Sequence, residues 1–404
     1  MNHKMRTALF FTNFAIFVTG MGLLPVLPLY AAKFGASQTV IGFYLASTYA
    51  SIAAGSLLTN RLLNHLPLRL LFAGAGIIGA PALILLGQAQ ALWQVIVLTG
   101  LIWFVGGIGL ALVSVLTGLY ANGRSRGKSF GLMFLARPLA GVLGGLAVGQ
   151  FIARQGYPQA FIMLAAVWLL WPLATLGLDR ALPAPARKTA VPSAPTVRGK
   201  ANAAEKRPFY LLLLIVFMST VAIYVGRLST SLAMQSLDFS ARAVSSTSVV
   251  ASLFAIPITP LLGSLSDRLG RRRLLWLGYL LAAAGALILT ASTQIWHFWL
   301  ETIFLFVATS VNGTVAAALA TDLLPASQVR RYLPWLNAVV WGAGIVGFAA
   351  SGLVADVLGA ATTGWIAAAL SLAAGALLLP RPSFKRQKTA VAPLAPVPQA
   401  TPCQ

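Results

Sequence analysis

The chain has 404 residues, of which 58% are apolar and 9% are charged. Soluble domains carry about 25% charged residues, so this composition excludes an ordinary water-soluble protein. The formal charge is +22, with 29 Lys and Arg against 7 Asp and Glu. The basic residues lie in short segments between apolar runs, which argues against a nucleic-acid-binding protein.

Twelve apolar runs are long enough to cross a membrane, because a helix needs about 20 apolar residues to span the hydrocarbon core. The first run is too long for the core of a signal peptide, so we expect it to be a membrane helix. In chain order, predicted spans 1 to 12 cover residues 7–30, 38–60, 70–90, 91–120, 129–153, 158–178, 209–231, 243–265, 274–293, 295–321, 333–356 and 361–380.

The Lys and Arg residues predict the orientation of these spans. If the N-terminus lies inside, nearly all of them fall in cytoplasmic segments, and the outer segments hold only Lys33, Arg154 and Arg242. Cytoplasmic enrichment in Lys and Arg is a general rule for membrane proteins. We therefore predict a multi-pass protein of the plasma membrane, in bacteria the inner membrane, with both termini cytoplasmic.

A proline-rich, basic segment divides the spans into two sets of six. Residues 179–208 contain little apolar surface, so they cannot bury a core and are predicted to form a flexible cytoplasmic linker. Residues 1–178 and 209–380 are predicted to form an N-terminal and a C-terminal six-helix bundle. Residues 381–404 are predicted to be a disordered cytoplasmic tail.

A charged loop between spans 8 and 9 is the most informative motif. It runs from Gly263 to Arg273, and a weaker copy runs from Gly55 to Arg61 with Thr59 in the place of Asp267. A charged loop repeated half a chain away is typical of a transporter built from two similar halves. Its bases would also hold the loop at the anionic inner leaflet.

Together with the two sets of six spans and the basic linker, this loop resembles the major facilitator superfamily. The end of span 1, with Gly22, Pro25 and Pro28, resembles the twelve-span drug-efflux branch. The resemblance implies an all-α integral membrane protein, with twelve transmembrane helices in two pseudo-symmetric six-helix bundles around a central cavity. It also implies that the loop acts as a conformational latch. The latch residues would be Gly263, Asp267, Arg268, Gly270, Arg271 and Arg272.

Several positions depart from the family pattern. Trp103 stands in span 4 where proton-coupled relatives carry an Arg, and Arg137 replaces the Gly of a Gly-Pro step that exporters carry in span 5. No Asp or Glu precedes Asp179, so the first half has no carboxylate to carry a proton through the membrane. A proton site must lie in the second half, or proton coupling is absent.

Glu301 is the carboxylate predicted to lie deepest inside a span, about 9 Å into span 10 at 1.5 Å per residue. Carboxylates in membrane helices are common proton carriers, so Glu301 is the candidate for proton coupling and a candidate for the cavity. The alternative is an interfacial Glu in a wet vestibule near His297. Asp322 and Asp356 fall at span ends, where capping or interhelical contacts are expected.

Arg137 and Arg227 are the two bases predicted inside the membrane. Arg137 lies about 12 Å into span 5, so it should face the cavity rather than lipid. It would bind an anionic substrate group or pair with Glu301; alternatively, it is a structural Arg satisfied by carbonyls that Pro138 leaves free. Arg227, near the outer end of span 7, is expected to snorkel to the interface.

The resemblance implies that spans 1, 4, 7 and 10 line the cavity, which adds four candidate substrate contacts. Each would serve equally well as a packing or interfacial residue. The four are Asn13, Trp103, Tyr224 and Asn312.

The sequence contains no arrangement of residues typical of an enzyme. A nucleotide-phosphate loop is absent, Cys and His are too sparse for a metal cluster, and no cofactor is predicted. We expect a monomeric secondary active transporter that exports small amphipathic organic compounds, with protons as the candidate coupling ion and membrane lipid around it. The alternatives are an importer or facilitator of a small organic anion, and a non-transporting membrane assembly or sensor protein on the same fold.

Overall fold

A computed structural model describes residues 3–120, 126–177, 203–324, 332 and 334–379. The predicted tail, 381–404, and most of the predicted linker, 179–208, lie outside the described residues. Within the described ranges the chain forms helices and turns and no strand. The structure therefore bears on the two predicted bundles.

Twelve described helices are long and apolar enough to cross a membrane, which confirms the predicted number of spans. We number them α1 to α12. They are α1 His3–Leu23, α2 Gln38–His65, α3 Leu68–Gly87, α4 Leu92–Tyr120, α5 Arg126–Gln155, α6 Tyr157–Ala174, α7 Ala203–Ser236, α8 Ala241–Leu269, α9 Arg271–Thr290, α10 Ile295–Leu323, α11 Pro334–Leu358 and α12 Ala360–Leu377. The start of α7 shows that the last residues of the predicted linker are helical.

Local sequence fixes the ends of α2 and α8, the second helix of each half. The Ser37 hydroxyl accepts a hydrogen bond from the Val40 N–H, and the Ser240 hydroxyl accepts one from the Ala243 N–H, both at 3.3 Å. Such caps satisfy N–H groups that have no partner in the first turn. At the far end of α8, Gly270 has φ 88°, a left-handed conformation suited to glycine, and the chain turns directly into α9.

The two halves, α1–α6 and α7–α12, use equivalent helix pairs. In the first half α1 packs on α5 and α2 packs on α4; in the second, α7 packs on α11 and α8 packs on α10. This equivalence makes the two bundles pseudo-symmetric. Buried apolar side chains fill both, including Phe72 and Trp168 in the first half and Phe209 and Leu275 in the second.

The halves meet along two equivalent pairs, α5 with α8 and α2 with α11. On α5, Gly141, Gly145 and Gly149 lie four residues apart and so turn one face toward α8. A Cβ atom at Gly145 would lie 2.7 Å from Val249 Cγ2, and one at Gly149 would lie 2.9 Å from Ser245 Cβ. Small residues allow membrane helices to approach closely, and here they bring the two halves together.

An acidic side chain joins α2 and α11. Gly42 of α2 packs on α11 so closely that a Cβ atom would lie 2.6 Å from the Phe348 carbonyl oxygen. The Asp356 carboxylate of α11 accepts hydrogen bonds from the N–H groups of Gln38, at 3.2 Å, and Thr39, at 2.7 Å. It thereby caps the positive N-terminus of α2 from the opposite half, the type of contact expected for an acid at a span end.

We call the end of the molecule where Asp356 caps α2 the capped end, and the opposite end, which carries residues 268–273, the basic end. Toward the basic end, α2 packs within its own half. Gly55 lies directly on the α4 backbone at Phe104, and Gly107 of α4 lies on the α2 backbone at Ile52. The contacts between the halves are therefore concentrated toward the capped end.

Candidate functional site

A small cavity, with a volume of about 60 Å³ open to water-sized molecules, lies between the two halves on the capped-end side. Its apolar lining includes Met21, Leu24, Leu45, Phe306 and Phe348. Its polar lining comprises Arg227, Thr230, Ser231, Thr247, Ser248, Glu301 and Thr302. The polar side chains all belong to the second half, whereas the first half contributes apolar surface, so the cavity is amphipathic.

Glu301 is fully buried in the polar wall. Its Oε2 atom lies within hydrogen-bond distance of two hydroxyls, that of Thr230 on α7, at 2.9 Å, and that of its neighbour Thr302, at 3.0 Å. Its Oε1 atom has no hydrogen-bond partner among the described residues. A buried acceptor without a donor is unfavourable, so this side of Glu301 is suited to a proton or a cationic group.

His297 is not part of the Glu301 site. Its Nδ1 atom accepts hydrogen bonds from the N–H groups of Thr293, at 3.2 Å, and Gln294, at 3.3 Å. These bonds fix the first turn of α10, whereas Glu301 lies one turn deeper and is held by threonines. The buried position of Glu301 fits the interior placement and not the wet vestibule.

The structure corrects the expected position of Arg227. Its guanidinium does not snorkel to the membrane interface but turns inward, where Nη2 donates to Thr309 Oγ1 at 3.3 Å. Cζ lies 5.4 Å from the centre of the Tyr224 ring, and the side chain lines the cavity together with Glu301. No ion pair within 4 Å joins Arg227 to a carboxylate of the described ranges.

Arg137 of α5 reaches the same region from the first half. Its Cζ lies 5.9 Å from the centre of the Phe17 ring, and its charge interacts with that of Arg227. Two positive side chains from opposite halves therefore lie close enough to repel each other.

Neither partner proposed for Arg137 from the sequence is in place. An ion pair with Glu301 is not found among the described residues. The Nε atom of Arg137 is buried and has no hydrogen-bond partner there, so no carbonyl freed by Pro138 satisfies it. Arg137 thus keeps an unused donor.

Tyr224 lies in an aromatic cluster that crosses between the halves. Tyr49 of α2 has its ring centre 4.9 Å from that of Tyr224, 5.0 Å from that of Phe348 and 5.8 Å from that of Trp341. This cluster lies next to the cavity, because Phe348 belongs to both. Of the four candidate contacts taken from span number, Tyr224 comes nearest to the cavity.

The other three candidates are packing residues in this structure. Asn13 Nδ2 donates to the Met133 carbonyl oxygen at 2.7 Å and so ties α1 to α5. Asn312 Oδ1 accepts a hydrogen bond from the Tyr279 hydroxyl at 2.8 Å. Trp103 is buried in the core of the first half, and none of the three lines the described cavity.

The predicted latch connects helices within the second half. Arg271 forms an ion pair with Asp322 of α10 and lies 3.7 Å from Asp267. Arg272 Nη2 donates to the Leu378 carbonyl oxygen just after α12, at 2.6 Å. These contacts tie α8, α9, α10 and the end of α12 together, and the described ion pairs of Arg271 do not cross to the first half.

The remaining latch residues lie along the end of α8 and in the turn that follows it. Gly263 lies within α8, Gly270 makes the turn into α9, and Arg268 is exposed. In the weaker copy, the Thr59 hydroxyl donates to the Gly55 carbonyl oxygen of its own helix at 2.8 Å. The weaker copy thus has an uncharged, intrahelically bonded side chain at the position that corresponds to Asp267.

The sequence matches the model of the Major Facilitator Superfamily over residues 9–233 and 212–401. The chain belongs to this family. It is a multi-pass membrane transporter and not an enzyme, and the two matched segments overlap at residues 212–233, within α7.

Curated relatives include drug-resistance proteins. Multidrug resistance protein MdtG of Citrobacter koseri is 23% identical over 325 residues, covering 76% of this chain and 77% of that protein. Tetracycline resistance protein, class H, of Pasteurella multocida is 32% identical over 112 residues. That match covers 27% of this chain and 28% of the relative, so this chain aligns with about a quarter of the tetracycline protein's length.

Solved structures share the fold at low identity. Nucleoside transporter NupG superposes with a TM-score of 0.74 at 15% identity, covering 94% of this chain and 100% of that chain. A bacterial homolog of the human lysosomal transporter Spinster, inward-facing and unoccupied, superposes with a TM-score of 0.70 at 14% identity, covering 94% and 98%. These similarities concern the fold alone.

Sequence reasoning missed the inward turn of Arg227 and the threonines that hold Glu301. A signal was available, because Arg227 and Thr230 lie three residues apart on α7 and so share a face. Span 7 is one of those that the family resemblance assigns to the cavity. Arg227 on such a span could have been placed inside instead of at the interface.

Proposed function

We propose that this transporter exports small amphipathic organic compounds from the cytoplasm across the bacterial inner membrane, in exchange for protons. The amphipathic cavity between the halves is the observation that carries the proposal. Its apolar wall suits the body of such a compound, and its buried polar wall contains a carboxyl group. The similarity to multidrug and tetracycline resistance proteins supports the outward direction.

The distribution of charge supports the orientation. Residues 268–273 lie at the basic end, as do Lys4 and Arg6 at the start of α1 and Arg69 at the start of α3. Because Lys and Arg collect on the cytoplasmic side, the basic end is taken as cytoplasmic and the capped end as external. With this orientation, the halves are joined on the outside and the protein is in an inward-facing state.

Alternating access then requires the capped end to open. Rocking one half against the other would separate α5 from α8 and α2 from α11. The close contacts of Gly145 and Gly42 and the hydrogen bonds of Asp356 would break together. The Arg271 contacts lie within one half and would move with it as a rigid unit.

Hydrogen-bond geometry supports Glu301 as the residue that carries the coupling proton. The Thr230 hydroxyl is 2.8 Å from the Gly226 carbonyl oxygen, and the Thr302 hydroxyl is 2.6 Å from that of Phe298. Each hydroxyl has one proton, yet each also contacts Glu301 Oε2. A proton on Oε2 supplies a donor that the two hydroxyls cannot supply while they bond to the carbonyls.

An importer or facilitator of an organic anion remains the second candidate. Arg137 and Arg227 favour it, because two unneutralised guanidinium groups in the interior attract an anion. The two candidates differ in the direction of net transport under a proton gradient.

Transport by inverted membrane vesicles tests the proposal. Vesicles with an acidic interior should accumulate dyes and antibiotics to which a deletion strain is more sensitive than its parent. Glu301→Gln should abolish accumulation driven by the proton gradient. Asp238→Asn is the matched control, because Asp238 is exposed in a turn with φ 56° that Asn also adopts.

Two outcomes would overturn parts of this proposal. Full gradient-driven accumulation by the Glu301→Gln variant would show that Glu301 does not carry the proton. An unchanged susceptibility panel, combined with protein-dependent uptake of an organic anion into right-side-out vesicles, would replace the exporter with the importer.

A further inference from the structure

The centre of the molecule holds two guanidinium groups and one carboxyl group. Arg137 comes from the first half, and Arg227 and Glu301 come from the second. No Asp or Glu precedes Asp179 in the sequence, so the first half has no carboxylate of its own to neutralise Arg137. In the part of the chain that the structure describes, no carboxylate pairs with either guanidinium within 4 Å.

Two buried atoms of ionisable side chains have no hydrogen-bond partner among the described residues, and they are of opposite kinds. Arg137 Nε is a donor on a cationic group, and Glu301 Oε1 is an acceptor on an acidic one. A buried donor or acceptor without a partner is unfavourable, more so when the group is charged. Arg137 Nε would be satisfied by an acceptor that carries negative charge, and Glu301 Oε1 would be satisfied by a donor. One ligand that bears both groups satisfies both atoms.

Arg227 supplies the second guanidinium group of this region. Its backbone is level with Glu301, because a Cβ atom on the adjacent Gly226 would lie 3.4 Å from Glu301 Oε1. Its Nη2 atom nevertheless reaches Thr309, about two turns further along α10 toward the basic end. There its charge interacts with that of Arg137. The positive charge is thus centred on the basic-end side of Glu301.

We propose that the exported compounds are zwitterions, whose acidic group binds between Arg137 and Arg227 and whose protonated amine binds Glu301. The inference rests on the proposed export function and specifies its substrate class. The apolar wall, with Met21 and Phe306, takes the hydrocarbon or aromatic body of the compound. The acidic group bridges the two halves, since the two Arg residues come from different bundles.

This placement also explains how exchange with protons arises. The amine of the substrate and the proton compete for the same carboxyl group of Glu301. Release of the zwitterion on the outside frees Glu301 to take a proton there, and release of that proton inside restores the site for the next substrate. A purely anionic substrate would lack this competition, because negative charge beside Glu301 favours the protonated form.

Three fluorescent probes with the same body separate these charge requirements. Nε-dansyl-lysine carries a free carboxylate and a free ammonium group, its methyl ester is a cation, and its Nα-acetyl derivative is an anion. Purified protein should bind the zwitterion at least about 10-fold more tightly than either derivative, because losing one partner of a buried charge pair weakens binding by at least that factor. Equal binding of all three, or a zwitterion that does not bind, would overturn the inference.

Variants test which residue binds the carboxylate of the probe and which binds its ammonium group. Arg137→Gln should remove the preference for the zwitterion over the methyl ester, and Glu301→Gln should remove the preference over the acetyl derivative. Arg154→Gln, which removes an exposed base from the same helix as Arg137, should retain both preferences. Thermal unfolding in detergent checks that each variant is folded, and Arg137→Lys should restore part of the preference if its charge is the cause.

Transport of the same probes distinguishes this inference from the proposed export. Accumulation of the methyl ester or of uncharged compounds in inverted vesicles, without preference for the zwitterion, would leave export in place and overturn the zwitterion site. The opposite result is binding that prefers the zwitterion and loses this preference in the variants, without accumulation in inverted vesicles. It would support the zwitterion site and refute export.

Discussion

Replacing Gly145 by alanine should shift the transporter toward the conformation that is open at the capped end. The added Cβ would lie 2.7 Å from Val249 Cγ2 and 3.1 Å from the Ser245 carbonyl oxygen. Carbon atoms in contact lie about 3.5 Å apart or more, so α5 and α8 would have to separate by several tenths of an ångström. The clash exists when the capped end is closed and is relieved when the halves part.

The size of the shift follows from the energy of overpacking. Inserting a methyl group into a well-packed contact costs roughly 1–3 kcal/mol, which corresponds to a change of about 5- to 150-fold in a conformational equilibrium. The native chain has a single cysteine, Cys403. A Cys403→Ser background with Leu24→Cys, in the cavity lining, therefore gives one reporter thiol. Its labelling in whole cells by a membrane-impermeant maleimide measures external access.

Two other glycine substitutions make the test specific. A Cβ at Gly364 would lie 2.8 Å from the Ala286 carbonyl oxygen, within the second half, so Gly364→Ala should lower the unfolding temperature without raising labelling. Gly20 has no atom within 4 Å of the added Cβ, so Gly20→Ala should change neither. The reasoning fails if Gly145→Ala leaves labelling unchanged, or if Gly364→Ala raises it equally.

Three further substitutions probe the polar contacts. Asp356→Ala removes the cap on α2, worth about 1 kcal/mol, and should raise external labelling of the same reporter about fivefold; unchanged labelling would mean that the cap does not hold the capped end closed. Tyr279→Phe leaves Asn312 Oδ1 without its donor and should destabilise the second half by about 1–2 kcal/mol, seen as a lower unfolding temperature in detergent. Arg271→Ala leaves Asp322 unpaired and should also lower that temperature, but without raising labelling. If Arg271→Ala raised the external labelling as much as Asp356→Ala does, the loop from Gly263 to Arg273 would act between the halves.

The number of spans could be predicted from the sequence because a lipid environment demands it. Backbone polar groups in lipid must be satisfied internally, so each crossing needs a long apolar helix. The ends of the helices were less predictable, because helical hydrogen bonding continues past the apolar core. Thus α7 begins at Ala203, within the segment predicted as linker.

It was harder to predict from the sequence which side of each helix faces the interior of the bundle. In a membrane bundle, side chains facing lipid and those facing the core are both apolar, so the sequence gives little amphipathic signal. Asn13 and Asn312 consequently entered the candidate cavity through their span number, yet they bond to neighbouring helices. Arg137 could be predicted better, because a charge deep in a span is unfavourable in lipid and must turn inward.

The location of the charged contacts determines which of them the transport cycle has to break. Arg271 holds helices of one half together, so its contacts persist while that half moves. Between the halves at the capped end, the described contacts include glycine packing, aromatic rings, apolar side chains and the Asp356 cap. The cap and an aromatic pair each contribute about 1 kcal/mol. These are the contacts that opening of the capped end has to break, and a ligand shifts that equilibrium only as far as it binds the two conformations with different affinity.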